Sequence, residues 1–127
     1  MKTFSLDEAN LLLPQIIPLL EKIRIYTREL RVIRVQESIN RRSYSADGNM
    51  IATPTNEQSS AAQTLKINEC IKIIEAHGVL IKDLERGLID FYHFRNAKLV
   101  LLCYLLGEES VRYWHDLDTG FQGRNLI

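Results

Sequence analysis

The chain has 127 residues, 46% of them hydrophobic and 25% charged, and its formal net charge is zero. That is the make-up of an ordinary globular protein with room for one core, so a single domain over 1–127 is expected. Zero net charge excludes a global field that would draw the molecule to nucleic acid or to a membrane surface. No apolar run reaches membrane-spanning length, and MKTFSLDEANLLLP has acidic residues where a secretory signal needs an unbroken apolar stretch. The expected location is therefore cytoplasmic, with no membrane partner.

Ser5 and Glu8 form an S-x-x-E capping box, which places a helix start at about Leu6. Pro14 and Pro18 are expected to kink or restart this helix, because neither can donate to the preceding turn. Ile16, Leu19, Ile23, Tyr26, Leu30 and Ile33 then alternate at spacings of three and four, a seam that needs a partner helix. The helix is read as about 6–37. Residues 38–56, SINRRSYSADGNMIATPTN, lack periodicity and read as a polar loop. A second helix is expected over about 57–77, striped by Leu65, Ile67, Cys70, Ile71 and Ile74 and stopped by Gly78. It is the natural antiparallel partner of the first.

Beyond Gly78, GLIDFYHF, LVLLCYLL and VRYWHDL are rich in β-branched and aromatic residues and are separated by RNAK and GEES. They predict a three-stranded antiparallel meander over about 87–117, followed by a tail, 118–127. The fold class is thus α+β, a long antiparallel helical hairpin packed on a three-stranded β-meander. With two-residue turns at Asn96-Ala97 and Glu108-Glu109, one sheet face carries Ile89, Phe91, His93, Val100, Leu102, Tyr104, Tyr113 and His115. The other carries Leu88, Asp90, Tyr92, Phe94, Leu99, Leu101, Cys103, Leu105 and Trp114. Both faces are apolar, whereas a sheet wetted on one side should alternate cleanly. The helices cover one face, and a second subunit is the expected cover for the other, through Leu101, Cys103, Leu105 and Trp114.

FSLDEANLLLPQIIPLL, KDLERGLIDF, LLCYLLGEESVRYWH and DLDTGFQGR together resemble the uncharacterised bacterial domain-of-unknown-function family 2203. The matching positions are Asp83, Gly87, Asp90, Cys103, Gly107, Glu108, Trp114, His115, Asp118, Gly120, Gly123 and Arg124; Tyr92 and Tyr104 depart from the family pattern. The resemblance implies no activity.

The candidate sites are few. Asp118-Thr119-Gly120 spells the D-T-G of aspartic proteases, but those enzymes are built of strands and this chain opens with helices; a turn capped by Asp is the better reading. The acidic spacing after His115 misses a calcium loop by one residue, and Ile127 stands where the bidentate Glu belongs. His115-Asp116 lacks the further His and Asp that a metal phosphohydrolase needs, and Cys70 and Cys103 have no CxxC or CxxH spacing, so they read as buried reduced thiols. No cofactor or metal is expected from spacing.

Asp90, Glu108, His115, Asp118 and Arg124 remain as a candidate ligand-binding cluster. A His with nearby carboxylates can act as acid and base, and an Arg after Gly-x-x-Gly can grip an anion. Such groups also lace folds together, with Arg124 pairing to Asp118 or Asp90. Between Lys22 and Arg42 seven basic residues face two acidic ones, and Arg24, Arg28 and Arg31 share a helix face that could track a phosphate backbone. No aromatic residue interleaves to stack on bases, which argues against a nucleic-acid partner. The main expectation is a small non-catalytic module that self-associates as a homodimer. The alternatives are a metal- or anion-binding hydrolase-like protein using His115, Asp118 and Arg124, and nucleic-acid binding through the arginine stripe.

Overall fold

The structure is a computed structural model and describes residues 1–47 and 59–127. Among these residues two α-helices and a five-stranded antiparallel sheet follow one another in chain order. They are α1 (Leu6–Asp47), α2 (Ser60–Ala76), β1 (Val79–Asp83), β2 (Leu88–Arg95), β3 (Lys98–Leu105), β4 (Tyr113–His115) and β5 (Asn125–Leu126), and the sheet runs β1-β2-β3-β4-β5.

The capping box forms as the sequence requires: Ser5 N–H donates to Glu8 Oε1 at 2.8 Å, and Glu8 N–H to Ser5 Oγ at 3.1 Å. The helix runs on through Pro14 and Pro18 without a restart. Both prolines are exposed, on the solvent side of the helix where a lost backbone hydrogen bond is most easily tolerated. The expected loop at 38–47 is helix instead; the rest of it, 48–56, lies outside the described residues. Here polar contacts, one within the helix and one to α2, accompany the helix where periodicity is missing. Asn40 is buried and accepts a bond from Gln36 Nε2 at 2.9 Å. Glu37 takes the Ser60 N–H at 2.8 Å and the Ser60 hydroxyl at 3.2 Å, placing a carboxylate on the N-terminus of α2. Ser59 caps the same turn by accepting from Ala62 N–H, so α2 begins at Ser60 rather than near 57.

The helices are antiparallel: Ser60 meets Glu37, while Gln63 donates to Tyr26 O and to Glu29 Oε2. The buried stripe of α1 is Ala9, Leu13, Ile16, Leu20, Ile23 and Leu30; Leu19, Tyr26 and Ile33 of the expected seam are only partly buried. Gly78 ends the hairpin at φ +89, with its N–H on Glu75 O at 2.9 Å.

The sheet has two more strands than expected. β1 pairs with β2, joined by a turn in which Asp83 Oδ1 accepts from the Glu85 and Arg86 N–H groups. Gly87 in this turn has φ +67, and a Cβ there would stand 2.6 Å from Leu106 Cβ. β5 pairs with β4 through Tyr113↔Leu126 and Trp114↔Asn125. The β2–β3 hairpin is as expected: Arg95 pairs with Lys98 across Asn96 (φ +51) and Ala97 (φ +64), a two-residue turn with both residues left-handed. Ala97 is strained there, by roughly 1 kcal/mol. Ala97→Gly is expected to raise stability by about 0.5 kcal/mol after allowing for glycine's extra unfolded freedom. The check is a higher urea midpoint at unchanged slope.

The β3–β4 pairing differs from expectation by one residue. A two-residue turn at Glu108-Glu109 would set Leu102 against His115. The observed partners are Leu101↔His115, Leu102↔Trp114 and Cys103↔Tyr113. The connection is a longer loop, pinned from outside the sheet: Asn10 of α1 accepts from Val111 N–H at 2.7 Å and donates to Val111 O at 3.1 Å. A one-residue slip exchanges the faces of every side chain on a strand. Trp114 therefore packs against the core that Ile89, Phe91, Leu102 and Tyr104 form with the helices. Tyr113 and His115 move to the outer face, beside Asp90 and Cys103.

The part of that outer face around Asp90 and Cys103 is covered by the chain's own tail, while Phe94 at the far end is 55% exposed. Leu88, Leu101 and Cys103 are buried, and the segment from Leu117 to Arg124 lies over them. Over Leu101 and Cys103 the tail occupies the place expected for a second subunit.

Candidate functional site

Beneath the tail a line of polar side chains crosses the outer face of β2, β3 and β4. Asp90 and Cys103 are cross-strand partners, and His115 stands opposite Leu101, so the sheet's two-residue period brings all three to one face. His115 Nε2 lies 3.1 Å from Asp90 Oδ2, with both side chains 2% exposed. Its Nδ1 lies 2.7 Å from the Asp116 carbonyl oxygen. A carbonyl can only accept, so Nδ1 carries the ring hydrogen. The Cys103 thiol completes the group; burial, helped by the adjoining Asp90 carboxylate and opposed by Arg124, pushes its pKa up to about 12.

Arg124 closes the other end. It forks onto Glu108, with Nη1 to Oε1 at 3.1 Å and Nη2 to Oε2 at 2.7 Å, and Nη1 also lies 3.9 Å from Cys103 Sγ. The guanidinium sits 3.9 Å from the Tyr113 ring centroid and 4.4 Å from that of Phe121, a cation between two aromatic faces. Burial works to raise the Glu108 carboxyl, but the bonds from Arg124 and from Leu105 N–H outweigh it and hold it below its ordinary value.

A cavity of about 290 Å³ opens between sheet and tail, lined by Asp90 and His115 at its floor and by Lys82, Asp118, Thr119 and Phe121 among its walls. The fold thus gathers four of the five expected cluster residues into one network, in two pairs, Asp90–His115 and Glu108–Arg124. Asp118 is exposed at the cavity wall, and Arg124 pairs with Glu108 rather than with Asp118 or Asp90. Sequence reasoning missed Cys103 as a member, although its parity with Asp90 across the β2–β3 turn was the available signal. It also missed the aromatic pair around Arg124.

The four residues expected at a subunit contact do not share a surface. Leu101 and Cys103 are buried under the tail, Leu105 is partly buried, and Trp114 is on the opposite face. The arginine stripe is partly spent within the chain: Arg31 pairs with Glu85, and Arg24 donates to Arg86 O at 3.4 Å. Arg28 is exposed beside them on a shallow groove shared with Glu85 and Arg86.

These features define an α+β protein in which a five-stranded antiparallel sheet carries helices on one face and its own C-terminal tail on the other. The chain belongs to the family described as an uncharacterized conserved protein (DUF2203), which it matches over residues 2–127. No curated protein and no solved structure matches it. Among the described residues no helix is long and apolar enough to cross a membrane.

Proposed function

We propose that the chain is a non-catalytic interaction module that self-associates, and that two copies meet along the outer face of α1. The observation that carries this reading is a row of apolar side chains facing solvent. Ile25, Val32, Val35 and Ile39 are between 47 and 70% exposed. Their spacings of seven, three and four put them on one side of α1, turned away from the buried stripe. Among the described residues nothing else is placed to cover them, since α2 packs on the opposite side.

A second copy suits this surface. In heptad terms Ile25, Val32 and Ile39 are three successive a positions with Val35 at d, and β-branched residues at a favour two parallel strands. A parallel pair sets Arg24 of one copy beside Glu29 of the other, whereas an antiparallel pair brings the arginines of the two copies together. Arg28, at the remaining d position, interrupts the row and weakens it. Burying eight half-exposed side chains contributes about 8 kcal/mol by area. Association itself costs about 4–15 kcal/mol, so a weak and reversible dimer is the expected outcome.

Sedimentation from low to high micromolar concentration is expected to show a monomer–dimer equilibrium. Val32→Glu should weaken it at least about tenfold by setting two carboxylates face to face, while changing monomer stability by no more than about 0.5 kcal/mol. A chain that stays monomeric throughout, or a dimer indifferent to Val32→Glu, would overturn the reading.

A further inference from the structure

The network under the tail is paired everywhere except at one atom. Asp90 Oδ1 is sealed from solvent and makes no hydrogen bond. A buried acceptor left without a partner is costly, and more so when it belongs to a charged group. The neighbouring contact has a matching gap. His115 Nδ1 bears the ring hydrogen that it gives to Asp116 O, so Nε2 turns a lone pair toward Asp90 Oδ2. Two acceptors can stand 3.1 Å apart only with a proton or a cation between them.

Cys103 adds a third donor of a different kind. One ligand atom each from Asp90, Cys103 and His115 lies within 4.8 Å of the others. A tetrahedral zinc with bonds of about 2.0–2.3 Å holds its ligands about 3.3–3.8 Å apart, so modest side-chain adjustment closes the group. The surroundings match as well. An Nδ1–H held by a backbone carbonyl is how metal-binding histidines are oriented. Arg124, 3.9 Å from the sulfur, offsets the charge of a thiolate. Asp90 and His115 both line the cavity, which gives an ion a route from solvent.

We propose that Asp90, Cys103 and His115 bind a zinc-class divalent transition metal ion, with its fourth coordination position open to the cavity under the tail. One nitrogen, one sulfur and one carboxylate select such an ion, while magnesium and calcium would require more oxygen ligands. On binding, the Cys103 S–H bond breaks, the sulfur's electron pair goes to the metal and the proton goes to solvent. The site is independent of the α1 surface, so either proposal can fail without the other.

The test uses the 127-residue chain, stripped with a chelator and titrated with Zn²⁺ and, for spectroscopy, Co²⁺. Calorimetry should give one Zn²⁺ per chain. Cobalt should give the visible bands of a tetrahedral site and a near-ultraviolet thiolate-to-cobalt band. That band should persist in Cys70→Ser, which assigns it to Cys103 without altering the site, since the chain has two cysteines. Asp90→Asn should weaken Zn²⁺ binding by at least about 100-fold, more than loss of a group that only orients a ligand would. Absence of stoichiometric binding, a cobalt spectrum without the thiolate band, or loss of the band in Cys70→Ser would overturn the proposal and leave a proton as the partner of the Asp90–His115 contact.

Discussion

Arg124→Ala is expected to lower the unfolding free energy by about 3 kcal/mol and to free the tail from the sheet. The guanidinium holds Glu108 with two charge-assisted bonds, with 11% and 18% exposure for the Arg124 and Glu108 side chains. Its removal forfeits those bonds and leaves a largely buried carboxylate without its partner, a loss of about 1.5–3 kcal/mol for the bonds alone. The contact with Tyr113 and Phe121 goes with it. Arg124→Lys should recover less than half, because an ammonium cannot reproduce the fork. Urea unfolding gives the magnitude, and limited proteolysis within 117–127 shows whether the tail has lifted. The bridge also sets an acid limit. Glu108 is held below its ordinary 4.5, so its contribution is complete above that pH and is lost as pH falls through the lower folded value. This limb should flatten in Arg124→Ala. A variant within about 0.5 kcal/mol of the parent would mean that the tail is held by something else.

Asp90→Ala and Asp90→Asn are expected to differ sharply. Alanine leaves His115 Nε2 facing a void with its Nδ1 still fixed on Asp116 O, and loss of one member of a buried pair typically costs about 3–5 kcal/mol. Asparagine keeps the volume and supplies an N–H to the waiting lone pair, so its cost should be near 1 kcal/mol. Thermal and urea unfolding of metal-free protein separate the two. Equal damage from both would show that the contact depends on the carboxylate's charge rather than on a hydrogen bond, against the geometry described here.

Where a feature is written in adjacent residues, sequence reading and structure agree. The Ser5–Glu8 box, the Gly78 stop and the Asn96-Ala97 turn each depend on a handful of neighbours, and the turn carries the full β2–β3 register with it. The failures lie where distant residues decide. β4 is turned over because Asn10 grips Val111 across 101 positions of sequence, which no local pattern records. β1 went unseen because Lys82 and Asp83 break its apolar run, and β5 because two residues carry no period. The helix around Glu37 meets the start of α2, 23 positions away, rather than following an apolar stripe. The candidate site was legible as a set of residue types but not as pairs. Asp90 and His115 meet only once β4 is in its observed register, and Glu108 meets Arg124 only once the tail folds back.

Both the network and the cavity depend on one arrangement, in which each chain roofs its own sheet with its own last residues. The reactivity of Cys103 toward a thiol reagent tests it most directly. The measurement belongs in Cys70→Ser, at dilutions where sedimentation shows a monomer. Cys103 is expected to stay blocked in that monomer and to react only as fast as the protein unfolds or the tail lifts, faster in Arg124→Ala. A Cys103 that reacts freely in the dilute monomer and becomes protected only as chains associate would contradict it, and would return the covering role to a second subunit.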